Sequence, residues 1–448
     1  MNTIGQIERA TQNRIVKLFQ EQLHYDYLGN WEEREGNSNI EEAELIKYLK
    51  EKGKYSEELA GKAIFALKKV ANINTGDDLY TANKELYSML RYGTSIKVDA
   101  AKKLEHIDFI DWKNPLNNHI AIAEEVTIKG ARERRPDIVL YINGIAVGVL
   151  ELKRASVSVS EGIRQNISNQ LHLFNKPFFT TIQLVMAGND SNGLYYGTTK
   201  TEEKYFLKWK EDNDVYNPNE IILDKHIVQF CAKERLLEII HDFVIFDFGT
   251  KKLCRPNQYF GIKEAQKCIA KKEGGIIWHT QGSGKSLTMV WLAKWILENQ
   301  SKARLLIITD RTELDEQIEG VFSGVGETIK RTKSGADLIS VLDNTFPRLV
   351  CSLVHKFGGK EDNEADEFID ELKLPKDFQP KGDFVVFIDE CHRTQSGDLH
   401  DAMKRILPEN TIFIGFTGTP LLKKDKKRSL EVFGRYIHTY KFDEAVKD

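Results

Sequence analysis

The stretch "GGIIWHTQGSGKSLTMVWLAKWIL", residues 274–297, decides the fold of the second half of this chain. It starts as an apolar β-type run, turns through a short glycine-rich loop and continues with helical apolar spacing. Glycines in such a loop let backbone N–H groups approach a phosphate closely, and the N-terminus of the next helix adds a positive dipole. The stretch therefore predicts a nucleotide-binding loop between a strand and a helix, formed by Gly282, Ser283, Gly284, Lys285 and Ser286.

The polar residues of this loop are the ones that ATP and its metal ion would need. Lys285 is predicted to contact the β- and γ-phosphates, and the Ser286 hydroxyl to bind Mg²⁺. His279 stands where the general pattern has a glycine. Because a glycine-rich turn before a helix can also be purely structural, the interpretation depends on the strands that follow.

Two later strands strengthen the interpretation as an ATP site. The stretch "DFVVFIDECHR" (383–393) ends in two carboxylates, and "FTGTP" (416–420) closes the strand after it. We expect Asp389 to hold Mg²⁺ through water, Glu390 to polarise the attacking water and His392 to sense the γ-phosphate. All of these strands alternate with helices, which predicts a parallel, doubly wound α/β sheet.

A second set of charged residues lies far upstream, in "RPDIVLYINGIAVGVLELKR" (135–154). Asp137 begins one apolar strand, and Glu151 and Lys153 share a face of the next because they are two residues apart. Two carboxylates brought together can bind Mg²⁺, which keeps several of its waters. A neighbouring lysine can activate a water or stabilise developing phosphate charge. The pattern therefore predicts a catalytic site with Asp137 and Glu151 as metal ligands, although the same few residues also occur together by chance.

The hairpin between these strands sets a geometric condition on that site. Asn143-Gly144 is a strong signal for a two-residue turn, which would pair residue 142 with 145 and residue 137 with 150. Cross-strand partners share a face, so Glu151 would then point away from Asp137. We therefore predict a three-residue turn or a bulge that pairs 137 with 151. Carboxylates on opposite faces of the hairpin would count heavily against the site.

Composition and charge restrict the class of protein. The chain has 448 residues, of which 41% are hydrophobic and 29% charged, and its net charge is −3. Two or three soluble globular domains are expected, and DNA contacts would have to come from local patches. Two basic runs are candidates, although each is also typical of a solvated face: "KGARERR" (129–135) and "KKDKKR" (423–428).

The spacing of the cysteines and the length of the apolar runs indicate the cellular compartment. The five cysteines are scattered without metal-ligand spacing, which favours reduced thiols in a cytoplasm. The sequence has no run of roughly 18 apolar residues, so we expect no membrane span. The first residues lack the apolar segment of a secretory signal.

The succession of helical patterns and short β-type runs along the sequence predicts two domains. We expect residues 1–250 to form an α+β domain with a helical region (1–110), a core of strands (about 111–210) and a helical linker (211–250). Residues 251–448 are expected to form the doubly wound domain, with a surface insertion at 358–381. A helix predicted at 161–174 has an apolar stripe, and Gln165 lies on its other side.

The second half resembles superfamily 2 helicases and translocases. Its "TQGSGKS" (280–286), "DECH" (389–392) and "TGTP" (417–420) are similar to motifs I, II and III of that superfamily, and 305–317 to its motif Ia region. The resemblance implies a RecA-like motor lobe that binds ATP and Mg²⁺. It also implies adenine recognition by a glutamine upstream of motif I, for which Gln258, with Arg255, is the best match.

The first half resembles the PD-(D/E)xK nuclease core, through Pro136-Asp137 and Glu151-Leu152-Lys153. A nuclease core followed by a superfamily 2 motor is similar to the restriction (R) subunit of type I restriction–modification enzymes. That family carries a glutamine and, four residues later, a tyrosine on the helix after ExK. Gln165 is at the expected distance and is taken as catalytic, but position 169 is asparagine.

The resemblance implies an ATP-dependent translocase and endonuclease that acts on unmethylated double-stranded DNA away from a recognition site. Its partners would be modification (methyltransferase) and specificity subunits, and base specificity would lie in the partner. Motors of this superfamily need a second RecA-like lobe, and nothing after "FTGTP" could supply one, so we expect the chain to be an N-terminal fragment. Two alternatives stay open: another ATP-dependent nuclease–helicase, and a non-catalytic DNA-binding assembly subunit.

Overall fold

The computed structural model divides the chain into two compact units, Met1–Leu253 and Cys254–Asp448. It describes residues 8–73, 78–97, 103–129, 133–171, 175–211, 217, 219–309, 316, 329–332, 334–353, 378–391, 403–419, 433–442 and 444. The predicted insertion, apart from 378–381, and the basic run 423–428 lie outside these residues, as do 130–132 of the other basic run.

The first unit combines seven helices with eleven strands among its described residues. The helices are α1 (Glu8–Glu21), α2 (Glu42–Glu51), α3 (Glu57–Ala71), α4 (Leu79–Tyr92), α5 (Val159–Asn169), α6 (Ile222–Phe230) and α7 (Lys233–Asp242). The strands are β1 (Asp26–Asn30), β2 (Thr94–Lys97), β3 (Leu104–Ile107), β4 (Ile120–Glu124), β5 (Ile138–Ile142), β6 (Ile145–Leu152), β7 (Leu184–Asn189), β8 (Gly193–Gly197), β9 (Leu207–Lys208), β10 (Val244–Asp247) and β11 (Thr250–Leu253).

Seven of these strands form one mixed sheet in the order β1-β4-β5-β6-β7-β8-β9. The hairpin β5–β6 is antiparallel, whereas β6 and β7 run parallel and are connected through α5. All residues of β4 to β7 are buried, as the near-continuous apolar runs of the sequence predict. The regions expected to be helical, 1–110 and 211–250, also contain strands, namely β1, β2 and β3 in the first and β10 in the second.

A bulge in the β5–β6 hairpin fulfils the register condition. Tyr141 pairs with Ala146 beside the turn, but Leu140 pairs with Gly148, so Val147 is an extra residue on β6. Beyond the bulge Ile138 pairs with Leu150, and the same register brings Asp137 opposite Glu151. The prediction of an extra residue is confirmed, and it lies within β6 and not in the turn.

Asn143 supports this turn by hydrogen bonds as well as by its left-handed backbone (φ 53°). Its amide nitrogen donates to Phe109 O (2.9 Å) and Asn118 Oδ1 (2.8 Å), and its side-chain oxygen accepts from the His119 N–H (2.8 Å). Because Asn143 is fully buried, we expect Asn143→Ala to lower the free energy of unfolding by about 3 kcal/mol. Urea unfolding would measure this.

A matched variant separates the backbone from the hydrogen bonds of Asn143. Asn143→Gly also loses the three bonds but accepts the positive φ, so it should recover about 1 kcal/mol relative to alanine. An Asn143→Ala protein with the unfolding midpoint of the wild type would contradict the structural role given to this side chain.

The second unit contains one seven-stranded sheet. Its helices are α8 (Pro256–Ala270), α9 (Lys285–Asn299) and α10 (Gly335–Leu342), and its strands are β12 (Gly275–His279), β13 (Ala303–Thr309), β14 (Ile329–Arg331), β15 (Leu349–Leu353), β16 (Asp383–Ile388), β17 (Ile412–Thr417) and β18 (Tyr436–Tyr440). The order is β14-β15-β13-β16-β17-β12-β18, and every pairing is parallel. The prediction of a parallel doubly wound sheet is confirmed. Neither edge strand, β14 nor β18, was predicted.

No helix in the described part of the chain has both the length and the apolarity that crossing a membrane requires. All five cysteines are free and buried.

Candidate functional site

The carboxylate pair lies at the end of the β5–β6 hairpin. Asp137 immediately precedes β5, and one of its oxygens, Oδ2, accepts a hydrogen bond from the Leu152 N–H at 2.6 Å. Glu151 is on β6 opposite it, and Lys153 follows β6, with its Nζ 4.0 Å from Glu151 Oε2. Glu151 and Lys153 lie 14 and 16 residues after Asp137 in the sequence. The bulge brings all three residues to the same end of one hairpin.

Helix α5 covers Glu151. A Cβ added at Gly162 would lie 3.3 Å from Ala187 Cβ and 3.5 Å from Glu151 Cβ, so α5 runs close to β6 and β7 at this point. Asn169 Nδ2 donates to Glu151 Oε1 across 3.5 Å, which is a long hydrogen bond. Glu151 itself is completely buried, so its charge has to be compensated by neighbouring groups.

An open cavity of about 550 Å³ lies beside this pair. Asp137, Lys153 and Gln165 line it, whereas the buried Glu151 does not. Three of the four residues predicted for this site thus line one cavity. The fourth, Glu151, lies behind Lys153, whose Nζ is 4.0 Å from its Oε2.

The sequence interpretation missed the contribution of α1 to this cavity. Arg9 and Gln12 line it, and Gln12 Nε2 donates to Asp137 O (3.4 Å) and to Glu124 Oε2 (3.2 Å). Glu124 also accepts from Tyr27, and burial together with this hydrogen bond raises the pKa of Tyr27 to about 12. Nothing in the first residues signals these roles, because they depend on a long-range contact between α1 and β4.

The basic run before Asp137 also reaches the cavity. Arg134 and Arg135 line it, and Arg135 Nε is 2.8 Å from Glu125 Oε2. On sequence alone this run is typical of a solvated face. Its position directly before Pro136-Asp137 was the available signal that it lies beside the carboxylates.

The glycine-rich loop of the second unit connects β12 to α9, as predicted. Gly282 and Gly284 have positive φ values of 80° and 85°, and Lys285 is the first residue of α9. Ser283 Oγ donates to Thr280 O at 2.6 Å, which closes the loop. The backbone N–H groups at the start of α9 have no partners within the helix and provide the positive end of its dipole, the arrangement that binds phosphates.

Gln258 supports this loop from α8. Its oxygen accepts from the Arg255 N–H (2.8 Å), and its nitrogen donates to Gly284 O (2.8 Å). Arg255 Nη1 lies 3.5 Å from Gly282 O. Both ends of the Gln258 amide are therefore engaged within the chain, and adenine recognition by this residue stays a prediction for the nucleotide-bound state.

We expect Gly284→Ala to weaken ATP binding far more than Gly282→Ala. A Cβ at Gly284 would overlap Gln258 Nε2, whereas a Cβ at Gly282 would meet nothing within 4 Å. Both variants carry the backbone cost of about 1 kcal/mol for a positive φ, but only Gly284→Ala also breaks the Gln258 bond. Affinity for a fluorescent ATP analogue should fall about tenfold more in Gly284→Ala. Equal affinities would show that this contact does not support the loop.

The acidic pair follows β16, two strands away from β12 in the sheet. Asp389 is nearly buried, with its Oδ2 3.4 Å from Thr309 Oγ1, and its Oδ1 accepts from the Glu390 N–H at 3.0 Å. Glu390 has a positive φ of 48°, a conformation that non-glycine residues adopt at an energetic cost and often at functional sites. Since parallel strands end at one edge, both carboxylates lie at the edge that carries the phosphate loop.

His279, which replaces the first glycine of the pattern, forms a buried pair with His438 on β18. Asn257 Nδ2 lies 3.4 Å from His279 Nδ1, and His279 Nε2 lies 2.8 Å from His438 Nδ1. Burial lowers the pKa of His279 well below its usual value, and His438 and Lys285 lower it further. A neutral His279 that accepts at Nδ1 donates at Nε2, so it connects α8 to β18 beneath the loop.

His392 lies outside the described residues, as do Pro420 and the motif Ia region from 310 to 315. No group of three or more histidine, cysteine, aspartate or glutamate residues with metal-binding geometry is found in the parts of the chain that the structure describes.

Two protein families match the chain. Residues 5–204 match the family of type I restriction enzyme R protein N-termini, and residues 257–448 match the SWI2/SNF2 ATPase family.

Curated relatives align along most of the chain. A protein of Methanocaldococcus jannaschii, provisionally named type I restriction enzyme MjaIXP endonuclease subunit, is 28% identical over 98% of this chain and 44% of its own length. The type I restriction enzyme HindI endonuclease subunit of Haemophilus influenzae is 26% identical over 99% of this chain and 45% of that subunit. The chain thus spans less than half the length of these relatives.

Among solved structures, the SWI2/SNF2 ATPase core of Sulfolobus solfataricus in complex with dsDNA matches 44% of this chain and 38% of its own, with 15% identity and a TM-score of 0.31.

Proposed function

We propose that this chain cleaves and translocates double-stranded DNA within an ATP-dependent restriction system. The proposal is supported by the match of residues 5–204 to the type I restriction enzyme R protein N-terminus family and of residues 257–448 to the SWI2/SNF2 ATPase family. The observation that carries the proposal is the bulge at Val147, which brings Asp137 opposite Glu151 in a chain that also has a phosphate loop. Without this extra residue the two carboxylates would lie on opposite faces of the hairpin.

A divalent cation and a phosphodiester are proposed to bind at the cavity beside Asp137. Asp137 and Glu151 provide carboxylate oxygens, the ligands that Mg²⁺ prefers, and they would hold it. A bound Mg²⁺ would lower the pKa of a water and neutralise charge on the phosphate. Lys153, close to Glu151, would orient that water or stabilise the developing negative charge. Gln165, which lines the same cavity, would bind the scissile phosphate or the water.

The loop at the start of α9 fits the phosphates of ATP. The proposed contacts are those of Gly282, Ser283, Gly284 and Lys285 with the phosphates, and those of Ser286 and Asp389 with Mg²⁺. Glu390, next to Asp389 at the same sheet edge, would polarise the attacking water. His392 would sense the γ-phosphate, and Arg255 and Gln258 would contact the adenine.

The partners follow from the family. We propose that the chain joins modification and specificity subunits in the cytoplasm, and that base recognition lies in the specificity subunit. The contacts of this chain with DNA would then be mainly to phosphates, which do not depend on sequence.

The test follows cleavage of an unmethylated supercoiled plasmid by the protein with its partner subunits and Mg²⁺, with and without ATP. Wild type is compared with Glu151→Ala. Cleavage that requires ATP and is lost in the variant, while ATP hydrolysis persists, would support two separate sites. A variant that cuts as well as wild type would contradict the nuclease assignment and leave a motor whose nuclease lies elsewhere.

A further inference from the structure

We propose that a groove on the first unit, defined as the cavity lined by the exposed face of α3 and by residues 127–129, binds the sugar–phosphate backbone of duplex DNA beside the carboxylate site. This inference rests on the proposed function and extends it. It adds a DNA-binding surface that neither the phosphate loop nor the carboxylate cavity includes.

The groove has the excess positive charge that favours binding of a DNA backbone. Its volume is about 1090 Å³, and its lining has four basic side chains and one acidic side chain. The basic residues are Arg34, Lys68, Lys69 and Lys129, and the acidic one is Glu42. Duplex DNA carries one negative charge per roughly 1.7 Å of axis, so a surface with excess positive charge attracts it.

Two of the four cations are already neutralised within the chain. Lys68 pairs with Glu42, and Arg34 pairs with Glu41 at 2.6 Å. Lys69 and Lys129 are exposed, and no carboxylate in the described ranges pairs with either of them. These two lysines therefore provide the charge that remains available for phosphate oxygens.

The groove lies next to the carboxylate cavity, because one backbone pairing joins residues that line the two. Ile128 and Arg134 form an antiparallel bridge, with N–H to O distances of 2.8 and 3.1 Å in the two directions. Lys129 follows Ile128 and lines the groove, whereas Arg134 and Arg135 line the cavity beside Asp137. A duplex that reaches the carboxylates extends beyond that cavity, and this bridge connects the cavity to the next positively charged surface.

The α3 side of the groove also has one side chain that a protein partner would contact. The Phe65 ring on α3 is 71% exposed, and it lines the groove next to the lysines. Binding to a DNA backbone depends on charge, so it should be insensitive to the loss of this ring. Docking of a protein partner on this wall would depend on Phe65, because buried aromatic rings dominate such interfaces.

Gly61 gives a way to change the groove without changing the fold. It lies on α3 and lines the groove, and a Cβ added to it would meet nothing within 4 Å. Gly61→Ala therefore adds a helix-favouring residue in open space and serves as the control. Gly61→Glu adds a negative charge at the same place, which should repel phosphates.

The experiment measures the affinity of the 448-residue chain for unmodified duplex DNA at several salt concentrations, in a Glu151→Gln background that prevents cleavage. Relative to Gly61→Ala, Gly61→Glu should bind about tenfold more weakly, because one like charge then faces the backbone. A Lys69→Ala/Lys129→Ala double variant should lower the slope of log affinity against log salt by about 2. The control double variant, Lys17→Ala/Lys47→Ala, removes two exposed lysines that do not line the groove.

The outcomes separate this inference from the proposed function. If the wild-type chain binds DNA and both groove variants bind like their controls, the groove is not a DNA surface, and the proposed function stands. If the wild-type chain shows no salt-dependent DNA binding, the proposed function fails as well. If Phe65→Ala and the double variant instead lose association with the partner subunits and keep DNA affinity, the groove binds protein and the inference is overturned.

Discussion

Replacing Glu151 with glutamine is expected to abolish Mg²⁺-dependent DNA cleavage while the protein keeps its fold and its ATP hydrolysis. Glutamine has the same shape and can still interact with Asn169, but it removes the negative charge that a metal ion and Lys153 require. We expect cleavage to fall at least about 100-fold, the scale on which one preorganised electrostatic contact acts at a reacting centre. Nicking of plasmid DNA measures the change.

The matched control for this variant is Glu161→Gln. Glu161 lies in the first turn of α5, on the helix that covers Glu151, but its side chain is exposed. The control should cut at the wild-type rate, and both proteins should unfold at the same temperature. Wild-type cleavage by Glu151→Gln would show that the buried carboxylate has a structural role only.

The register of the β5–β6 hairpin could be predicted because strand side chains alternate with a period of two. Asp137 and Glu151 can share a face only if one residue is added to a simple two-residue hairpin, and the structure has that residue at Val147. The location of the bulge could not be predicted, because it depends on how β6 packs against its neighbours. The burial of Glu151 by α5 could not be predicted either, since it is a long-range contact.

In the second unit, too, some features could be predicted from the sequence and others could not. Its central strands were predictable from apolar runs of the right length, and their ends fix the positions of Lys285 and Asp389. The edge strands β14 and β18 are mixed in polarity, and a sequence pattern does not separate such strands from loops. The side-chain amide of Gln258 is hydrogen-bonded to Arg255 and to Gly284 of the phosphate loop. These bonds depend on the packing of α8 against that loop, so they could not be predicted from the sequence.

The Lys285→Ala variant is expected to lose ATP binding and hydrolysis while DNA binding by the first unit persists. Lys285 is nearly buried, and its Nζ lies so close to Gly418 that a Cβ on Gly418 would be 2.5 Å away. The lysine therefore lies beside the turn after β17. A charge-assisted hydrogen bond from Lys285 to a phosphate would contribute about 1.5–3 kcal/mol, so affinity for ATP should fall about 10- to 150-fold.

Hydrolysis should fall further than affinity, because this lysine is expected to stabilise the negative charge that develops on the phosphate oxygens as the bond breaks. The control is Lys302→Ala, which removes an exposed lysine from the same unit and should leave both quantities unchanged. Titration with a fluorescent ATP analogue and measurement of phosphate release separate the two effects. If Lys285→Ala bound ATP with wild-type affinity, the loop between β12 and α9 would be a structural turn, and the motor assignment of the second unit would lose its nucleotide site.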